Sequence, residues 1–308
     1  MEPTSPEASA AQNEVVQILR DLLRIDTTND GTGAGPGEAA AAEYVEASLR
    51  EVGLDPERFS TSSANRQAVA CRIAGADPSR PPLLLHGHLD VVPAIRSDWS
   101  VDPFGAEVID DMVWGRGAVD MKDTDAMLLA VVRSWLRAGV TPPRDLMLLF
   151  MPDEEAGGEH GSHWIVDNRP DLLDDVCEGI SEVGGYSITG PDSQRLYLIQ
   201  TAEKGIAWMR IRAAGIAGHG SAINEDNAVT EVAEAIARVG RHRFPVQLSP
   251  SAERMVRGIE EAFGLTLDLE DPDALAHQLG HDPARGLRRL PGQLRDHHAR
   301  SEEHTSEL

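Results

Sequence analysis

The chain is poor in cysteine: Cys71 and Cys177 are its only two thiols in 308 residues. Two cysteines far apart cannot build a disulfide framework, and neither has a C-x-x-C partner, so a reducing cytoplasm is the expected setting. Basic residues are scarce as well. Lys and Arg number 28 against 51 Asp and Glu, for a formal net charge of -23. Phosphate recognition needs clustered Lys and Arg, so no nucleic-acid partner is expected. No apolar run reaches the length of a membrane span. The first residues lack the basic and apolar regions of a signal peptide. What remains is an acidic, self-repelling chain that is 41% hydrophobic and long enough for two domains.

Its periodicities predict an α/β protein. Val15, Ile18, Leu19 and Leu22 recur at helical spacing, which places a helix over 14–24 behind a frayed start. A second helix is expected over 38–52, closed by Gly53, and a long one over 124–138. Strands are expected at 67–73, 82–86, 145–151 and 179–183, the last holding Glu182, with a further helix near Gly161. The glycine-rich stretch Gly31–Gly37 follows a helix rather than a strand, and Glu38 stands where a dinucleotide pattern wants Gly or Ala, so it reads as a linker. Strands alternating with helices imply a mostly parallel sheet with helices on both faces. Near residue 200 the pattern shifts. A strand over 207–213 and a helix over 227–239 open a second domain, expected to run over 201–299.

The chemistry concentrates at strand ends. His86-Gly87-His88-Leu89-Asp90 follows the apolar run Pro82–Leu85, and in α/β sheets ligands bind at that edge. His88 and Asp90 are two apart and share a side of an extended chain. A carboxylate so placed can orient a ligating imidazole. Taken alone, one H-x-D is equally a capped strand end. Asp120, the adjacent pair Glu154-Glu155 and Glu182 repeat the pattern at other post-strand positions. Adjacent buried glutamates are costly without a cation. Carboxylates plus imidazole without thiolate suit Zn²⁺, Co²⁺ or Mn²⁺, and many carboxylates with few histidines suit two ions sharing one bridging carboxylate.

Five stretches, Gly87-His88-Leu89-Asp90-Val91-Val92-Pro93, Trp114-Gly115-Arg116-Gly117-Ala118-Val119-Asp120-Met121-Lys122, Pro152-Asp153-Glu154-Glu155-Ala156-Gly157-Gly158, Ser181-Glu182-Val183-Gly184-Gly185 and Gly218-His219-Gly220-Ser221, resemble the dinuclear zinc amidohydrolases. These include aminoacylase, acetylornithine deacetylase, succinyl-diaminopimelate desuccinylase and carboxypeptidase G. The resemblance runs over about 14–239. It implies that His88 binds one metal and Asp90 orients it. It makes Asp120 the bridge, Glu155 and Glu182 ligands of the two ions, and Glu154 the general base beside a metal-bound hydroxide. It further implies a homodimer through a lid domain, His219 reaching into the partner's site, and an N-acyl amino acid or peptide as substrate.

Two departures accompany the likeness. Asp123-Thr124 stands where the family has small residues, often glycines, and the helix start tolerates it. The family's last metal-binding histidine has no counterpart motif among His242, His277, His281, His297, His298 and His304. The tail Arg300–Leu308 resembles translated adaptor DNA, so the chain is expected to be part of a longer enzyme. The alternative is an inactive fragment that only binds metal or dimerises, which metal stoichiometry separates. A serine hydrolase using Ser221 fails Gly-x-Ser-x-Gly, because His219 and Ile223 occupy the glycine positions.

Overall fold

A computed structural model describes residues 6–182 and, within 187–271, all but 191–192, 198, 200, 202–204, 206, 208, 243, 245–246 and 270. The chain divides into two compact units, Met1–Val183 and Gly184–Leu308.

The first unit is a five-stranded sheet between helices. Its strands are β1 (Glu57–Ser60), β2 (Gln67–Ile73), β3 (Leu83–His88), β6 (Leu146–Met151) and β7 (Glu178–Ile180), ordered β1-β2-β6-β3-β7. β3 runs parallel to both β6 and β7, while β2 is antiparallel to β6 and β1. Four of the five strands therefore point the same way, as the alternation of strands and helices predicts. The three parallel strands end at one edge.

β2 and β6 are buried almost throughout, with successive side chains facing opposite sides, as in a sheet covered on both faces. Val69, Cys71, Ile73, Leu146, Leu148 and Phe150 face one side. They meet α1 (Pro6–Leu23), α2 (Ala39–Arg50) and α3 (Lys122–Arg137) through Ile18, Leu22, Val45, Leu49 and Leu129. Ala68, Ala70, Met147 and Leu149 face the other side, against Ile165 of α4 (Ser162–Asn168) and Leu172. A hairpin of β4 (Glu107–Ile109) and β5 (Met112–Trp114) turns on Asp110 and Asp111, both at positive φ, the backbone a two-residue hairpin loop demands.

Several boundaries differ from expectation for local reasons. α1 begins at Pro6, inside the stretch expected to fray. Proline suits a first helical turn, and the alanine-rich residues after it have high helix propensity. α3 begins at Lys122 rather than Thr124. β7 stops at Ile180, so Glu182 lies past the strand end rather than within it.

Among its described residues the second unit holds a short antiparallel pair, β8 (Ser187–Thr189) and β9 (Arg195–Tyr197), and two helices. α5 (Ala228–Arg241) is capped by Asn227, whose side chain accepts from Val229 N and Thr230 N. α6 (Pro250–Phe263) is capped by Ser249 and ends at Gly264 in the left-handed conformation. Over 207–213, where a strand is expected from pattern, the described residues are not in a strand. An apolar alternation forms a strand only beside a partner, and none pairs with it among the described residues. The segment 272–308, with the tail from Arg300 and the histidines after His242, lies outside the described residues.

Candidate metal centre

The C-terminal edge of β3, β6 and β7 carries the cluster. β3 delivers His88 as its last residue. The residue before it is glycine, and a Cβ there would run into the carboxylate of the buried Asp125. The chain then continues alongside Thr27–Asn29. Val91 N donates to Thr27 O at 3.2 Å and Asn29 N to Val91 O at 2.8 Å. After β6, Asp153 takes a positive φ of 68° and Gly157 and Gly158 follow at 101° and 75°. This tight turn presents Glu154 and Glu155 at the edge. Asp120 arrives just before α3, in a loop where Lys122 N donates to Gly117 O at 3.0 Å.

His88 is 2% exposed. Its Nδ1 lies 2.9 Å from the Asp90 carbonyl oxygen. That oxygen can only accept, so Nδ1 carries a proton and Nε2 is the nitrogen turned toward the carboxylates. Nε2 faces Asp120 Oδ1 at 3.0 Å, Glu182 Oε2 at 3.1 Å and Glu154 Oε2 at 3.9 Å. Ligand atoms of His88, Asp120 and Glu155 all lie within 4.8 Å of one another. Six of the seven residues singled out from sequence therefore gather at one place. His219 is the exception. It belongs to the second unit, is exposed, and its Nδ1 lies 2.8 Å from Ser221 Oγ.

Electrostatics explain what this cluster can hold. Burial opposes charge on the His88 ring, yet Asp120, Asp90 and Glu182 together raise its pKa well above the imidazole range. Burial also raises Glu154, and burial with Asp120 pushes Glu155 up to about 7. A ring nitrogen ringed by crowded carboxylates is a donor set for a divalent cation, which would offset their mutual repulsion. The residues present fit such an ion.

Asp90 is fully buried, and burial would raise its pKa. The adjoining His88, Asn29 Nδ2 and Glu154 N–H outweigh that and hold it low. The Asp90 carboxylate accepts from Glu154 N (3.0 Å), Glu155 N (3.2 Å) and Asn29 Nδ2 (2.8 Å). Asn29 also donates to Asp153 Oδ1 and accepts from Arg66 Nη2. Arg66 pairs with the buried Glu38. Asn29, Glu38 and Arg66 are the residues sequence reasoning missed. The first two stand where the first expected helix ends and the second begins, and no local pattern ties either to Arg66. The loop Gly31–Gly33, expected as a linker, lines a cavity of about 170 Å³ with Arg66, Asp153 and His160.

The fold and this edge define an α/β protein with a carboxylate–histidine cluster that could hold a metal ion. Its sequence matches Peptidase family M20/M25/M40 over residues 84–283, more than half its length, and the chain belongs to that family. Aminoacylase-1 of Sus scrofa is 29% identical over 253 residues, covering 82% of this chain and 60% of that protein. Succinyl-diaminopimelate desuccinylase of Rhodospirillum centenum is 28% identical over 225 residues, 72% of this chain and 55% of that protein. The solved structure of human carnosine dipeptidase 1 shares the fold, with a TM-score of 0.57, 16% identity, and coverage of 94% of this chain and 64% of that one. The chain thus spans between half and two-thirds of the length of the relatives it matches.

Proposed function

We propose that the chain carries the metal-binding part of a hydrolase that cleaves an amide bond next to a free carboxylate, as in an N-acyl amino acid or a dipeptide. The observation that carries this reading is the orientation of His88. Its Nδ1 is committed to the Asp90 carbonyl, and its Nε2 is turned onto Asp120 and Glu182 beside Glu154 and Glu155. In this reading His88, Asp120, Glu155 and Glu182 would hold two divalent ions, with Asp120 as the ligand common to both. Zn²⁺ is the first expectation, with Co²⁺ and Mn²⁺ compatible with the same donors. When bound, such ions supply Lewis acidity toward a carbonyl and make water a better nucleophile at neutral pH.

The protein's own residues move the proton. Glu154, half exposed at the cluster's edge, takes a proton from the attacking water at its carboxylate. As the C–N bond breaks, it returns that proton to the departing amine nitrogen. Burial raises its pKa above the usual carboxylate value, which favours taking up the proton that it later returns. Asp90 keeps the His88 ring in one tautomer throughout. The family resemblance adds that residues 201–299 form part of a lid through which two copies pair. His219 then polarises the scissile carbonyl in the partner copy's site. A cytoplasmic setting fits the two thiols, and no helix among the described residues is long and apolar enough to cross a membrane.

The test is metal content together with turnover of an N-acetyl amino acid. Glu154→Ala should keep the metal content of the parent protein and lose about 10²–10⁴-fold in rate. A variant with unchanged turnover would refute the role of Glu154. A parent protein that binds metal but hydrolyses nothing would support the alternative reading, a chain that only binds metal or dimerises.

A further inference from the structure

We propose that Asn29 is a positioning residue of the metal centre, acting through Asp90 on both the His88 ring and the Glu154-Glu155 turn. This rests on the metal-site reading above. Asn29 is 3% exposed, and its side-chain amide is used at both ends. Nδ2 donates to Asp90 Oδ2 at 2.8 Å and to Asp153 Oδ1 at 3.0 Å. Oδ1 accepts from Arg66 Nη2 at 2.8 Å and from Gly31 N at 3.1 Å. A flipped amide would aim its oxygen at two carboxylates and its NH₂ at two donors, so only one orientation is compatible with these neighbours.

The Asp90 carboxylate receives three N–H groups. Two come from the turn it orders, Glu154 N and Glu155 N. Asn29 supplies the third, from the segment hydrogen-bonded to Val91 just after β3, and so ties the carboxylate to a part of the chain other than the turn. Chemistry explains why an amide stands here rather than a cation. A neutral donor satisfies the buried carboxylate while leaving its negative charge for the imidazole, whose Nδ1 lies 3.5 Å from Asp90 Oδ1, and a carboxylate beside that nitrogen makes a metal-bound ring a better donor. The guanidinium of Arg66, which donates to Asn29 Oδ1, is engaged one step further out by Glu38. The arrangement thus gives Asp90 a fixed geometry without neutralising it.

The experiment is Co²⁺ titration of the whole metal-free chain, read by calorimetry and by the visible absorption of the bound ion, with circular dichroism and thermal melting alongside. Asn29→Ala should weaken Co²⁺ binding about 10–100-fold, the usual effect of losing an outer partner of a ligating histidine. The absorption at saturation should change as well. In an Asp90→Ala background the same substitution should change affinity less than about twofold, because its route is gone. Should Asn29→Ala fail to fold, Asn29→Ser provides the same comparison with a smaller packing loss. A folded Asn29 variant that binds Co²⁺ as the parent does, or losses that add in the double variant, would overturn the proposal. A parent protein that binds no Co²⁺ would overturn the metal-site reading itself, and this inference with it.

Discussion

Arg66→Met separates the cost of a lost contact from the cost of a stranded charge. Arg66 and Glu38 form an ion pair in which the side chains are 7% and 0% exposed. Burial pushes Glu38 up to about 7 even though Arg66 pulls the other way. A carboxyl whose folded pKa lies above its unfolded value of 4.5 contributes most below pH 4.5, and that contribution falls as the pH rises through the folded pKa. In the parent chain the fall ends near pH 7. Without Arg66 the folded pKa climbs further, so stability keeps falling above pH 7 by up to about 1.4 kcal/mol per pH unit. At pH 6 Glu38 can take a proton, and the loss should be about 1–3 kcal/mol, that of broken hydrogen bonds. At pH 8.5 it should approach about 3–5 kcal/mol, the cost of breaking a buried pair. For a unit of this size each kcal/mol lowers Tm by about 2–4 °C. The assay is guanidinium denaturation of metal-free protein at both pH values, with Glu38→Leu/Arg66→Met as the companion that should recover much of the loss. A deficit equal at pH 6 and 8.5, or below about 1 kcal/mol at both, would show that the pair is not a buried charge pair.

Two further predictions concern the edge of the sheet. Gly87→Ala should cost about 1–3 kcal/mol by overpacking, since the new methyl meets Asp125, and Asp125→Ala should restore part of it in urea denaturation; an alanine variant as stable as the parent would contradict the packing. Glu155 is pushed up to about 7 by burial and Asp120, so in metal-free protein its contribution falls as the pH rises from 4.5 through 7. A bound divalent ion favours the ionised form. The Tm increase on adding Zn²⁺, worth about 2.7 kcal/mol at a hundredfold excess over Kd, should therefore be larger at pH 8 than at pH 5, as thermal melts with and without chelator would show. Equal increases at the two pH values would argue that this carboxylate is not a ligand.

Much of this protein is legible along the chain, because the informative signals are local. The 3.6-residue spacing of Ile18, Leu22, Val45 and Leu49 marks the helices, and the apolar run Leu146–Phe150 marks a buried strand. His88, Asp120, Glu154, Glu155 and Glu182 stand out because charged groups directly after apolar strands are hard to explain as packing. Polarity and period are properties of neighbouring residues, so they survive without coordinates.

Tertiary structure alone decided the rest. β1 has no strong pattern and exists through its pairing with β2. The stretch 207–213 has the pattern, yet no described residue in it pairs as strand. Asn29 and Arg66 are 37 residues apart, and Asn29 and Asp90 are 61 apart. Their hydrogen bonds depend on how β2, β3 and the turn after β6 come together, which no local period encodes. Residue type and order determined what chemistry the chain can bring to the sheet edge; the packing of distant segments determined which side chains hold that chemistry in place, because hydrogen-bond geometry is settled in space rather than along the sequence.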